Sequence, residues 1–332
     1  MALESGTYVK DLVSTNPPGT DAISQGDDHI RLIKSVLKNS FPSTNSAPII
    51  PDISGNANKY LQVNSGATAT QWGVIRQKGY VQKAKFEYSS STAILIGAGE
   101  YELDDSSNPE NFSWDSQLTF TLGPSGSNPS SSSIGTNQWQ YIYMDQSNIS
   151  ASPLVAGSFL NSTTAPTYSQ TKHGWYNGSD RCIFAVWIDN NGVIFQFWHD
   201  GNEAVGYSDS SRTDTGNIRL TRSNSAMYNT WSSALRLEIP AFANKALVTF
   251  YGDGTAAPGN ITKYFFRTNG ATTTSPGGHV IAKVEDDEAE WNVNGIQLFT
   301  DSSQQIQLYA DANNTSQSIE VMTMGYFLPG GM

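Results

Sequence analysis

Apolar residues follow two different rhythms along this chain. Near the start, Ile23, Ile30 and Leu37 recur every seven residues, and Ile33 falls at the second seam position between them. The spacing predicts a single amphipathic helix over residues 23–42. Ser24 serves as its N-cap, Asp27 and Asp28 sit in the first turn, Lys34 and Lys38 lie toward the far end, and Pro42 stops the run. A lone helix of ~16 residues is marginal in water. Pro and Ser flank this one, and the chain beyond it reads as β, so the helix needs a partner: its own copies or a socket on another protein.

Residues 43–78 read as a junction. Ser43 to Asp52 is rich in Pro, Ser and Asn and has linker character. Two short strands follow, around Tyr60 to Val63 and Ala69 to Trp72, joined by Asn64-Ser65-Gly66. So small a unit cannot bury Leu61, Val63 and Trp72 alone, whereas three copies around an axis would hide them.

From residue 79 the pattern becomes strand after strand. Ala93–Ile96 and Tyr101–Leu103 flank Gly97-Ala98-Gly99 and predict a hairpin. Leu118, Phe120 and Leu122 alternate, and Trp139, Tyr141 and Tyr143 share one strand face. Ile183 to Ile188 is apolar at every position, which predicts a central strand covered on both faces. Asp189-Asn190-Asn191-Gly192 is a turn, and Val193 to Trp198 should return antiparallel to it. Beyond the polar stretch 208–216, further strands are expected near Leu235–Ile239, Ala246–Tyr251, Val280–Val284, Trp291 with Val293, Ile296 with Leu298, Ile306 with Leu308, and Ile319–Phe327. The expected architecture is therefore mainly β. An N-terminal arm and anchor helix (1–42) and a short shaft (43–78) lead to two sandwich or jelly-roll-like domains, 79–204 and 205–332. The absence of a long-period repeat counts against a β-helix.

Composition narrows the partners. The 332 residues carry 15% charged side chains and a net charge of −11. Lys and Arg are not clustered, so nucleic acid is not an expected partner, and an anionic surface would be met only through short-range contacts. The one cysteine, Cys182, lies in an apolar run and reads as a small buried hydrophobe. No basic-then-apolar leader opens the sequence and no apolar stretch approaches ~18 residues, so export by a signal peptide is not expected.

The chemistry on offer favours binding over catalysis. His29, His173, His199 and His279 stand far apart, outside any metal-ligand spacing, and no cofactor is expected. The acid run Glu285 to Glu290 reads as a solvated turn; a Ca²⁺ site or a glycosidase carboxylate pair is the alternative. No Gly-x-Ser-x-Gly elbow or phosphate-cradling loop is present. Aromatic side chains beside Asn, Asp and Ser occur at Tyr228 to Trp231, Tyr251 to Asp253 and Glu290 to Asn294. Tyr228, Trp231, Asp253 and Trp291 are accordingly the candidate receptor contacts, with core packing as the competing role for each aromatic.

Residues 1–42 also carry a resemblance. Met1-Ala2-Leu3-Glu4-Ser5-Gly6-Thr7-Tyr8-Val9-Lys10-Asp11-Leu12, then Asn16-Pro17-Pro18-Gly19-Thr20-Asp21, then Ser24-Gln25-Gly26-Asp27-Asp28-His29-Ile30-Arg31-Leu32-Ile33-Lys34 resembles the virion-anchoring segment of bacteriophage tail fibre proteins. The stretch Gly55 to Trp72 is similar to a small unit of phage fibre shafts, and the series from Trp139 to Phe184 is similar to a fibre β module. The resemblance implies a non-enzymatic homotrimer in the virion tail. Its N-terminus would dock on a tail or portal/adaptor protein, and its C-terminal part would meet a host cell-surface glycan or protein. In this reading Ile23, Ile30, Ile33 and Leu37 form the anchoring or trimer seam. A decoration fibre without a specific receptor and a glycan-depolymerising tailspike are the alternatives.

Overall fold

The computed structural model describes residues 7, 11–12, 26–40, 60–63, 70–73, 81–104, 109–149, 152–207, 219–253, 261–272, 279–284, 290–312 and 318–332. The chain divides into two units, Met1–Gln77 and Lys78–Met332. Regular structure is mainly β: every ladder is antiparallel, and one α-helix stands among the described residues.

In the first unit the helix runs Gly26–Ser40, with Asp27 and Asp28 in its first turn and Lys38 in its last. Those charges complement the partial charges of the helix ends. The described part of the helix starts at Gly26; Ile23 and Ser24 lie outside the described residues. Asn39 Nδ2 donates to the carbonyl of Thr7 at 3.2 Å, and the Thr7 amide donates to Asp11 Oδ2 at 3.0 Å. Strands Tyr60–Val63 and Thr70–Gly73 pair with Leu61 opposite Trp72 and Val63 opposite Thr70.

The second unit holds five sheets on one continuous core. Two of them have three strands: Val81–Gln82, Gly99–Asp104, Pro109–Trp114, and Phe86–Tyr88, Ala93–Ile96, Leu118–Thr121. The Gly97–Gly99 segment is therefore not a hairpin. Ala93–Ile96 pairs with Phe86–Tyr88 and Leu118–Thr121, whereas Gly99–Asp104 pairs with Val81–Gln82 and Pro109–Trp114. The glycines carry the chain from one sheet to the next. A Cβ at Gly99 would stand 3.0 Å from the Trp114 ring and 3.2 Å from the Gln82 carbonyl, so any larger residue would have to push its neighbours back at this corner.

A five-stranded sheet centres on Asp180–Ile188, which Gln138–Met144 flanks on one side and Gly174–Asn177 on the other. All of Arg181 to Ile188 is buried, as the uninterrupted apolar run requires. The turn after it is built by Asp189, whose Oδ1 accepts from the amides of Asn191 (2.8 Å) and Val193 (3.0 Å), with Gly192 at φ +75°. Val193 to Phe195 returns antiparallel, with the Asp189 amide donating to the Val193 carbonyl (2.9 Å), the Phe195 amide to the Trp187 carbonyl (2.8 Å) and Ile194 bridging Ile188. The next strand, Phe197–His199, pairs instead with Ala204–Tyr207.

That pairing leads into the six-stranded sheet, where Ala204–Tyr207 joins the last strand, Ser318–Phe327. Lys245–Asp253 lies between Ser318–Phe327 and Glu290–Phe299. Hydrogen bonding thus crosses residue 204, where the pattern suggested a domain boundary. Side chains cross it too. Tyr326 Oη donates to the Ala185 carbonyl (2.7 Å), Trp139 Nε1 to Glu238 Oε1 (3.0 Å), and the Ala241 amide to Tyr141 Oη (3.2 Å). Trp139, Trp187, Tyr326, Phe242 and Tyr141 form a chain of ring contacts between the two sheets. Buried aromatics of this size stabilise by about 2–3 kcal/mol each, and here they are shared between the expected halves. Lys78–Met332 forms one compact unit, and these aromatics pack across residue 204 within it.

Candidate functional site

Two surfaces carry the chemistry that the sequence points to. The first is the helix. Ile30, Ile33 and Leu37 are 52%, 46% and 46% exposed, while Val36 is buried. The three exposed residues lie at i, i+3 and i+7 and form one stripe. Apolar side chains at these positions are what a partner helix or a socket would cover. Ile23, the fourth seam residue, lies outside the described residues. So do the side chains of Leu61, Val63 and Trp72, of which only the strand register is known.

The second surface is the open face of the six-stranded sheet. Three neighbouring strands present Thr249 and Tyr251, Asn292 and Asn294, and Glu320, Met322 and Met324 around a groove of about 320 Å³. Register places Tyr251 directly between Asn292 and Glu320, and Thr249 opposite Met322. Asn294 Nδ2 donates to Asn292 Oδ1 at 3.2 Å, and Thr221 Oγ1 to Glu320 Oε1 at 3.5 Å. A phenol ring and two thioethers lie beside two carboxamides, a carboxylate and a hydroxyl. This set can bury the CH face of a ligand while exchanging hydrogen bonds with its polar edge.

Asn292 and Asn294 share this face by simple alternation, and a bulge in Glu290–Phe299 then turns Ile296 and Leu298 away from it. Register slips between Val248 and Phe250, where Gly295 adopts φ +72°. The extra residue lets Trp291 and Val293 before it, and Ile296 and Leu298 after it, all pack toward the core. Trp291 therefore faces inward, half-buried, with its ring 5.1 Å from that of Tyr264. It also lies against Gly252, where any Cβ would come within 2.0 Å of the indole. The strand offers its asparagines to solvent and its tryptophan to the core.

Trp231 is likewise built into packing. Its ring lies between the Arg267 guanidinium, at 4.1 Å, and Tyr309, at 5.3 Å. Tyr228 is 38% exposed and bridges Ala310. Asp253 ends its strand opposite Glu290 and Ser318; its side chain lies outside the described residues, as do residues 285–289 of the acid run. The predicted stretches Tyr251–Asp253 and Glu290–Asn294 do meet, but through Tyr251 and Asn292. Sequence reading missed Thr249, Glu320, Met322 and Met324. Their signal was the alternation of Glu320, Met322 and Met324 with Ile319, Val321 and Thr323.

Among the described residues no group of three or more His, Cys, Asp or Glu side chains could hold a metal ion. None of the described helices is long and apolar enough to cross a membrane. Cys182 is buried, and burial pushes its thiol well above the ordinary range. No protein-family model matches the sequence, and no curated protein matches it.

Proposed function

We propose that the chain is a subunit of a bacteriophage tail fibre. Residues 1–42 mount it on the virion, the helix and the short shaft associate as a homotrimer, and the β unit after residue 78 adheres to a host cell surface. The resemblance of residues 1–42 to fibre anchors motivates this reading. The observation that carries it is the exposed stripe of Ile30, Ile33 and Leu37 on the helix. Leaving three large aliphatic side chains half in water forgoes about 1 kcal/mol or more apiece. Covering them against two further copies recovers that and fixes the helix register.

The β unit carries the feature that supports adhesion. The groove around Tyr251 and Glu320 supplies hydrogen-bonding groups and an apolar floor. A shallow site of this kind binds weakly alone, and three copies on several fibres would multiply it through effective concentration. The test is the mass in solution. Three chains of 36.0 kDa give 108 kDa. A stable monomer at micromolar concentration would remove the main support for this reading.

A further inference from the structure

We propose that Trp198 is the stacking platform of a second site, which binds a neutral pyranose sugar at the junction of two sheet edges. The inference rests on the adhesive reading of residues 78–332 and adds a ligand class and a location to it.

Trp198 is 48% exposed, although its strand neighbours Phe197 and His199 are buried. An exposed indole of this size is unusual, and this one is held rigidly. It stands directly opposite Gly206, where a Cβ would come within 2.2 Å of the ring. One face of the indole therefore lies on bare backbone, leaving the other to the solvent. A flat, pre-set aromatic face suits the CH surface of a pyranose ring, and little side-chain entropy is lost on binding.

The surroundings supply the polar half of such a site. Trp198 lines an open cavity of about 390 Å³ together with Lys85, Glu87, Tyr88, Phe197 and His199. Lys85 Nζ and Glu87 Oε1 are paired at 2.7 Å, and Gln117 Nε2 donates to Glu87 Oε2 at 3.3 Å. An ammonium beside a carboxylate matches two vicinal hydroxyls, one accepting from Lys85 and the other donating to Glu87. Both charges are on the rim and cancel, so the site itself selects no ionic ligand. The net charge of −11 further disfavours polyanions, nucleic acid included.

The cavity is also pre-formed. His199 Nδ1 accepts from the amide of Phe86 at 3.0 Å, tying Phe197–His199 to Phe86–Tyr88 where no backbone ladder joins them. The two walls, Trp198 on one and Glu87 with Lys85 on the other, are thus fixed relative to each other.

The experiment titrates the full chain with D-glucose, D-galactose, D-mannose and N-acetyl-D-glucosamine, followed by ligand-observed NMR. At least one sugar should saturate with a Kd on the order of 1 mM. Trp198→Ala should weaken it about tenfold or more with the melting temperature unchanged, and Trp198→Phe should weaken it less. Gly206→Ala should weaken it as strongly, by lifting the ring, although it touches no polar group. Saturation by none of the sugars, or binding that survives Trp198→Ala, overturns the inference. A fall in oligomeric mass on Trp198→Ala would assign the surface to a second copy of the chain and equally overturn it. A trimer that binds none of the sugars leaves the fibre reading standing; a monomer that binds through Trp198 does the reverse.

Discussion

Arg181 Nη2 donates to the carbonyl of Gly331 at 3.0 Å, across 150 residues of chain. Its Nη1 donates to the carbonyl of Glu102, and the guanidinium lies 5.7 Å from the Tyr101 ring and 5.8 Å from the Tyr176 ring. The side chain is fully buried, and Gly174 leaves it room, since a Cβ there would stand 3.3 Å from its Cζ. One planar fork thus holds together the strand Gly99–Asp104, the central strand and the end of the described chain.

Replacing Arg181 should therefore cost far more than a surface arginine would. Arg181→Met removes the donor from the buried Glu102 carbonyl and the partly buried Gly331 carbonyl, and we expect a loss of about 2–4 kcal/mol in denaturant unfolding. Arg181→Lys should recover less than half, because an ammonium cannot span both carbonyls in one plane. A loss under about 1 kcal/mol for Arg181→Met would mean that the clamp contributes little.

How much of this was legible from sequence depends on the distance over which each feature is decided. The strands were legible because Leu235, Leu237, Ile306, Leu308, Ile319 and Val321 alternate with polar neighbours, and all six are buried. The break in phase between Trp291, Val293 and Ile296, Leu298 read as two strands. It is one strand with a bulge, and Gly295 was the signal. Partner choice was not legible. Gly97–Gly99 has hairpin composition, but Ala93–Ile96 and Gly99–Asp104 each find partners elsewhere in the chain and lie in different sheets. Contacts across residue 204, such as that of Trp139 with Glu238, were not legible for the same reason: they are decided in three dimensions. The exposure of Trp198 depends on Gly206 lying opposite, a pairing no local pattern reveals.

Two titratable groups, the buried His199 and the half-buried Glu238, should mask each other in acid. Burial pushes Glu238 from the ordinary 4.5 up to about 7, against the hydrogen bond from Trp139 and the charge of Arg236. Its contribution is full below pH 4.5 and is lost as pH rises through 7. Burial lowers His199 from 6.5 to about 4; Asp200 raises it, while Lys83 and Lys85 lower it further. Its contribution is full above pH 6.5 and is lost as pH falls toward 4. Each is worth on the order of 3 kcal/mol. Between pH 4.5 and 6.5 the unfolded chain takes up a proton at His199 and releases one at Glu238, so the two slopes cancel. Relative to wild type, Glu238→Gln should lose stability on acidification and gain it at pH 8. His199→Gln should lose stability as pH rises from 4.5 to 7. Parallel profiles for wild type and both variants would refute the assignment.

The close approach of Gly252 to Trp291 predicts a strong coupling. A Cβ at residue 252 would come within 2.0 Å of the indole, so Gly252→Ala must displace the ring or the strand. We expect a loss of about 1–3 kcal/mol. In a Trp291→Leu background the same change should cost clearly less, giving a coupling energy of about 1 kcal/mol or more. Additive losses would show that the contact is relieved without strain.

The helix stripe yields the sharpest test of assembly. Ile33→Ser with Leu37→Ser removes apolar surface from side chains that are already half exposed, so a monomeric helix would lose little by it. A trimer would lose six buried side chains, two from each copy, and with them the reason to associate. Light scattering should then fall from 108 kDa toward 36.0 kDa as the protein is diluted. The melting of residues 78–332 should stay in place, because the helix belongs to the other compact unit. Asp28→Asn, also on the helix but polar in both forms, should leave the mass unchanged. If the doubly substituted chain keeps the wild-type mass at every concentration, the stripe is not the seam, and a socket on another protein must cover it instead.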